Sequence, residues 1–139
     1  VGVGEDMPYP DSSFDAIICV DVLEHVQDLS RVLAEVKRCL RPGGMFLFDT
    51  INRNLLARLA TITVAEDILR LLPKGTHDPS MFIKPSELRA AMQTAGLEPG
   101  RFTGLGPRGL NRRLDLTFGP LPFTAILYMG VARKAKEAA

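Results

Sequence analysis

Cysteine is scarce in this 139-residue chain: Cys19 and Cys39 are the only two, both in apolar segments and in no C-x-x-C spacing. That usage argues against a disulfide scaffold or a thiolate metal site and points to buried free thiols in a reducing compartment. Net charge is scarce as well. Seventeen Lys and Arg against 16 Asp and Glu leave +1, so no nucleic-acid partner is expected. No secretory signal opens the chain, and no uncharged run reaches the ~18 residues of a membrane-spanning helix. A cytoplasmic protein is expected, with one apolar segment able to make it membrane-associated. Internal repeats and low-complexity tracts are absent. What is present is ordinary for a globular chain, 46% hydrophobic and 24% charged residues in a length suited to one domain with a real core.

The chain is organised around Cys19-Val20-Asp21-Val22-Leu23-Glu24-His25. The apolar run from Phe14 to Val20 reads as a buried strand of the kind parallel sheets use. Three polar side chains follow at once, at spacings that a helical turn would gather on one face. In open α/β sheets, ligands bind just past the carboxyl ends of strands. Asp21, Glu24 and His25 are therefore the first candidates for chemistry.

Before this corner, residues 5–13 (Glu-Asp-Met-Pro-Tyr-Pro-Asp-Ser-Ser) read as a loop. After it, Asp28 can cap a helix from about Leu29 to Leu40. Leu29, Val32, Leu33, Val36 and Leu40 form its apolar face; Arg31, Glu35, Lys37 and Arg38 form its wet one. Arg41-Pro42-Gly43-Gly44 stops and turns the chain, and Met45 to Phe48 is a second buried strand ending in Asp49 and Thr50. Residues 52–72 are helical in character, and Pro85 opens a further helix ending near Gly96. A strand is expected at Arg101–Leu105, a loop from Pro107 to Pro122 because of its Gly and Pro content, and a last strand over Thr124–Ala132. The order predicts an α/β fold with a mostly parallel sheet. A sheet that starts at Phe14 leaves a long apolar edge unpaired, which suggests that earlier strands belong beside it.

The segments Glu5 to Asp15, Glu24-His25-Val26 and Leu40-Arg41-Pro42-Gly43-Gly44 resemble the second half of a class I S-adenosylmethionine-dependent methyltransferase. Narrower likeness comes from Asn52-Arg53-Asn54, residues 65–70 and 73–78, and Phe82-Ile83-Lys84-Pro85, which resemble the ubiquinone-biosynthesis O-methyltransferases. The resemblance runs from about Glu5 to Arg133. It implies a Rossmann-like class I methyltransferase sheet, its C-terminal half only, mostly parallel with an antiparallel last strand. Residues 1–139 would be a partial methyltransferase domain, lacking the glycine-rich cofactor loop and the acidic residue for the ribose. Such a chain alone is expected to bind S-adenosylmethionine weakly or not at all and to be inactive.

The resemblance also implies roles. Asp21, Glu24 and His25 would hold a divalent ion, Mg²⁺ or Zn²⁺, that orients catechol oxygens. Alternatively Glu24 and His25 only shape the turn, or His25 is a general base. Asp6 and Met7 would meet the adenine of the cofactor, with the acid's register open between Glu5 and Asp6. Cys19 and Val20 would contact its methionine portion through backbone atoms, against the plainer reading of Cys19 as a core thiol. His77 and Asp78 would lie in a loop over the substrate, His77 as a second catalytic histidine; Lys84 reads as a surface or anchoring residue. The substrate implied is a polyprenylated phenol methylated on a catechol-type hydroxyl. Leu55 to Leu72, flanked by Arg53, Arg58 and Arg70, is either core or a peripheral membrane contact. Two other functions stay open: a metal-free methyltransferase of another small molecule, and a non-catalytic lipid- or partner-binding fragment. Oligomeric state is not legible.

Overall fold

The computed structural model describes residues 2–59, 78–113 and 116–136. Strand β1 spans Phe14–Cys19 and helix α1 spans Leu29–Cys39, capped by Asp28, whose carboxylate accepts the Arg31 N–H at 3.1 Å. Strand β2 (Leu40–Ile51) follows directly, with Phe14 opposite Leu40 but Ala16 opposite Met45. The expected turn at residues 41–44 is therefore a bulge inside the strand. Glycine is required there: a Cβ on Gly44 would lie 2.8 Å from the Arg41 carbonyl oxygen.

The expected helix of residues 52–72 begins as α2 (Leu55–Arg58), capped by Asn54; residues 60–77 lie outside the described part. Helix α3 (Pro85–Thr94) starts on its proline, as expected. Strands β3 (Leu97–Pro99), β4 (Thr103–Leu110), β5 (Leu116–Leu121) and β6 (Leu127–Lys134) complete the sheet. Its order is β1-β2-β6-β4-β5, with β3 also on β6. β1 and β2 are parallel, and β6 runs antiparallel to β2, β3 and β4. Strands β1 to β4 thus share one direction, and the last strand runs against them from inside the sheet.

The loop expected over residues 107–122 is instead the β4–β5 hairpin. Its glycines and proline made it read as irregular. Pro120 is accommodated because β5 is an edge strand, where a missing N–H leaves no inner ladder bond unmade.

Helices α1 and α3 cover one face of the sheet. Val32, Leu33, Val36, Leu88 and Met92 pack there on Phe46, Phe48, Tyr128 and Ala132. The Phe102 ring stacks on Tyr128 at 5.7 Å between centroids and meets Phe48 edge-on at 5.2 Å. Gly130 leaves room for this pile, since a Cβ there would lie 2.8 Å from both phenylalanine rings. On the other face, Ile18, Val20, Leu47, Met129 and Val131 line an open cavity of about 350 Å³ with Asp49 and Arg101.

Candidate active site

The parallel pairing of β1 and β2 brings their carboxyl ends side by side, and two hydrogen bonds stitch the corner together. The Asp21 N–H donates to Asp49 Oδ1 at 2.8 Å, and the Thr50 hydroxyl donates to Glu24 Oε2 at 2.9 Å. Asp21 adopts φ +52°, a left-handed conformation uncommon for a residue with a side chain. Asp49 supplies the partner that its amide needs there. Leu23–His25 is a single 3-10 turn.

This geometry separates the three residues that spacing alone would gather. Asp21 and His25 are exposed, whereas Glu24 is 1% exposed and turned into the core beneath Thr50. Among the described residues no three His, Cys, Asp or Glu side chains converge as a metal would require. The expected ion finds a poor donor set here, because Glu24 is buried while Asp21 and His25 are exposed. Glu24 Oε1 is buried without a hydrogen-bond partner among the described residues.

Burial pushes the Glu24 carboxyl above its usual range, opposed by its own backbone and by the Thr50 hydroxyl. Desolvation likewise raises Asp49, and raises the Cys19 thiol to about 11, helped by Glu24 and Asp49. Cys19 is thus a neutral thiol at pH 7, and both cysteines are free. A carboxyl raised in the folded state contributes least when ionised. Stability is therefore expected to fall as pH rises from about 4.5 through the higher folded value. Glu24→Gln should flatten that slope and stabilise the protein at pH 8, with no gain at pH 4. Urea melts at the two pH values read it; equal slopes for both proteins would refute it.

The loop before β1 is equally built. Glu5 Oε1 accepts the Gln27 N–H at 3.0 Å, at the start of α1. Asp6 is exposed, with no side-chain partner among the described residues, so Asp6 is the acid of this loop left available to a ligand. Met7 is half-buried and joins the core cluster. Val20 is 55% exposed at the strand end. His77 lies outside the described residues; Asp78 accepts the Ser80 N–H at 2.9 Å and caps a short 3-10 turn. Lys84 lies 3.9 Å from Glu87, which also pairs with Arg53. Asn52 and Asn54 act as latches: their amides donate to the Thr124 and Ala125 carbonyls at 2.6 and 2.7 Å, fastening the end of β2 to the approach of β6. Sequence reasoning missed Asp49 and Thr50 as corner residues, although their place at the end of the second apolar run was the available signal.

A parallel strand pair with a polar corner at its carboxyl ends, flanked by an antiparallel last strand, is a partial Rossmann-like arrangement. A methyltransferase-domain family model matches residues 1–48. An S-adenosylmethionine-dependent methyltransferase structure from Methanosarcina mazei superposes with a TM-score of 0.64 at 20% identity, covering 98% of this chain and 66% of that one. By sequence the chain resembles the ubiquinone biosynthesis O-methyltransferases. The one from Ralstonia nicotianae is 41% identical over 122 residues, which is 88% of this chain and 50% of that protein. The one from Pseudomonas putida is 45% identical over 115 residues, 83% and 48%. The chain spans about half the length of the curated relatives it matches.

Proposed function

We propose that this chain is the acceptor-side half of an S-adenosylmethionine-dependent O-methyltransferase that acts on a catechol-type hydroxyl of a polyprenylated ring in ubiquinone biosynthesis. The observation that carries it is 41% identity to such a protein across 88% of the chain. The corner supports it by presenting His25 and Asp21 to solvent at the carboxyl ends of β1 and β2.

The cofactor supplies an activated methyl group on a positively charged sulfur. Asp6 would accept hydrogen bonds from the adenine amino group, Met7 would pack beside the ring, and Cys19 and Val20 would offer backbone atoms to the methionine portion. His25 would hold the phenol proton as general base. Orientation of the phenolate toward the methyl carbon is the main contribution. His77 has a role by resemblance alone. No step is assigned to a divalent ion, and the inward Glu24 favours metal-free transfer.

Among the described residues no helix is long and apolar enough to cross a membrane. Leu55, Leu56 and Leu59 are nevertheless 72, 54 and 47% exposed, beside Arg53 and Arg58. Exposed leucines with flanking arginines suit peripheral contact with the bilayer that holds a polyprenyl tail.

The test is methyl transfer from labelled S-adenosylmethionine to a prenylated catechol, run on the native-length polypeptide with Mg²⁺, with Zn²⁺ and with a chelator. Turnover is expected in all three, falling on the order of 10²- to 10⁴-fold in His25→Ala. Absence of cofactor binding defeats the methyltransferase reading. Loss of turnover in chelator alone restores the metal and removes the metal-free one.

A further inference from the structure

The face of α1 that carries Glu35 and Arg38 is half-buried, and it holds the loop before β1. Glu35 Oε2 accepts the Met7 N–H at 2.9 Å, and Arg38 Nη2 donates back to the Met7 carbonyl at 3.0 Å. The guanidinium also donates to the Tyr9 carbonyl at 2.7 Å and to Asp11 Oδ1 at 2.8 Å, and grips Glu35 through Nε and Nη2 at 2.8 and 2.7 Å. All five guanidinium N–H groups are thereby used, in the fork geometry that a lysine cannot reproduce. The Ser12 and Ser13 amides donate to the Arg38 and Cys39 carbonyls at 2.9 and 2.8 Å, closing the far end of the loop. Arg38, then the Met7 amide, holds the Glu35 carboxyl at about 2. The pair is thus ionised throughout the working range of pH.

We infer that Glu35 and Arg38 are positioning residues for ligand binding: they fix both backbone groups of Met7 so that its neighbour Asp6 is presented, ready-set, to the N–H donors of a purine. Asp6 itself is the exposed acid, whereas Glu5 is engaged at the start of α1. A loop ordered before the ligand arrives pays less ordering entropy on binding. This role rests on the methyltransferase reading, since the purine is that of S-adenosylmethionine.

The experiment compares wild type, Arg38→Lys and Glu35→Gln in the native-length polypeptide. It reads amide hydrogen exchange at Met7, affinity for S-adenosylmethionine, and kcat at saturating cofactor. Both variants are expected to lose at least about tenfold protection at Met7 and about tenfold cofactor affinity, with kcat and the exchange of Val32 and Val36 within α1 unchanged. Glu35→Gln preserves shape, so it carries the test if Arg38→Lys folds poorly. Unchanged Met7 exchange in a folded variant overturns the inference. So does exposed Met7 with undiminished affinity, which leaves the methyltransferase reading standing. A wild type that binds no cofactor, while its variants still expose Met7, defeats that reading and the cofactor role together.

Discussion

Tyr128→Ala is expected to cost about 3–5 kcal/mol of unfolding free energy, the range for deleting a buried aromatic side chain. Tyr128 is fully buried in β6, stacked on Phe102 and edge-on to Phe48 at 6.5 Å. Its hydroxyl donates to the Ile83 carbonyl at 2.9 Å, which ties the sheet to the segment leading into α3. Burial, then the charges of Glu24 and Glu87, keep that hydroxyl protonated at any ordinary pH. Tyr128→Phe separates the two contributions. It keeps the ring and leaves the Ile83 carbonyl unpaired, at about 1–3 kcal/mol. Urea melts at constant m-value measure both. A loss under 1 kcal/mol for Tyr128→Ala would mean that the aromatic pile is not what holds the sheet to its helices.

Gly104→Ala should cost about 3 kcal/mol for a single methyl group, at the upper end of overpacking penalties. The added Cβ would fall 1.8 Å from the Phe123 carbonyl oxygen and 2.7 Å from its carbon. Those are backbone atoms and cannot rotate away. The strain falls on the β4–β5 hairpin and the chain leaving it, so exchange protection should drop over residues 103–121 while α1 keeps its own. Gly109 makes a useful contrast. A Cβ there meets nothing within 4 Å, but its φ of +133° strains any side chain, so Gly109→Ala tests conformation without contact. A neutral Gly104→Ala would show that residue 123 is free to move off β4.

The first strand, the capped helix after it and the second strand were legible because each follows one clean period, an unbroken apolar run or apolar residues every third and fourth place. The burial expected of the first strand is not met, since Ile18 is 70% exposed. The hairpin was not legible. Gly104, Gly106, Gly109, Gly119 and Pro120 are breakers by local preference, yet they lie in a paired hairpin, where Gly104 admits the Phe123 backbone and Gly109 takes a φ of +133°. The three-residue β3 was too short to carry any period. At the site, the spacing of Asp21, Glu24 and His25 pointed to one face only on the premise of a continuous helical turn. A left-handed Asp21 followed by one 3-10 turn breaks that premise and sends Glu24 inward. The wet face of α1 holds at Arg31 and Lys37, whereas Glu35 and Arg38 on it bind a loop. Periodicity separates polar from apolar positions, but a polar face that binds a loop has the same pattern as one that binds water.

The place of β6 also bears on how the chain folds. It is the last strand in sequence, yet it lies between β2 and the pair β3 and β4, joined to Met45–Ile51 on one side and to residues 97–105 on the other. Until Leu127–Lys134 is in place, β2 on one side and β3 and β4 on the other have no partner in that slot. Partners separated by some eighty residues, such as Ile51 and Leu127, make this a slow closure by the usual dependence of rate on sequence separation. Completion of the sheet that carries the corner therefore depends on pairing its last strand with partners far away in sequence.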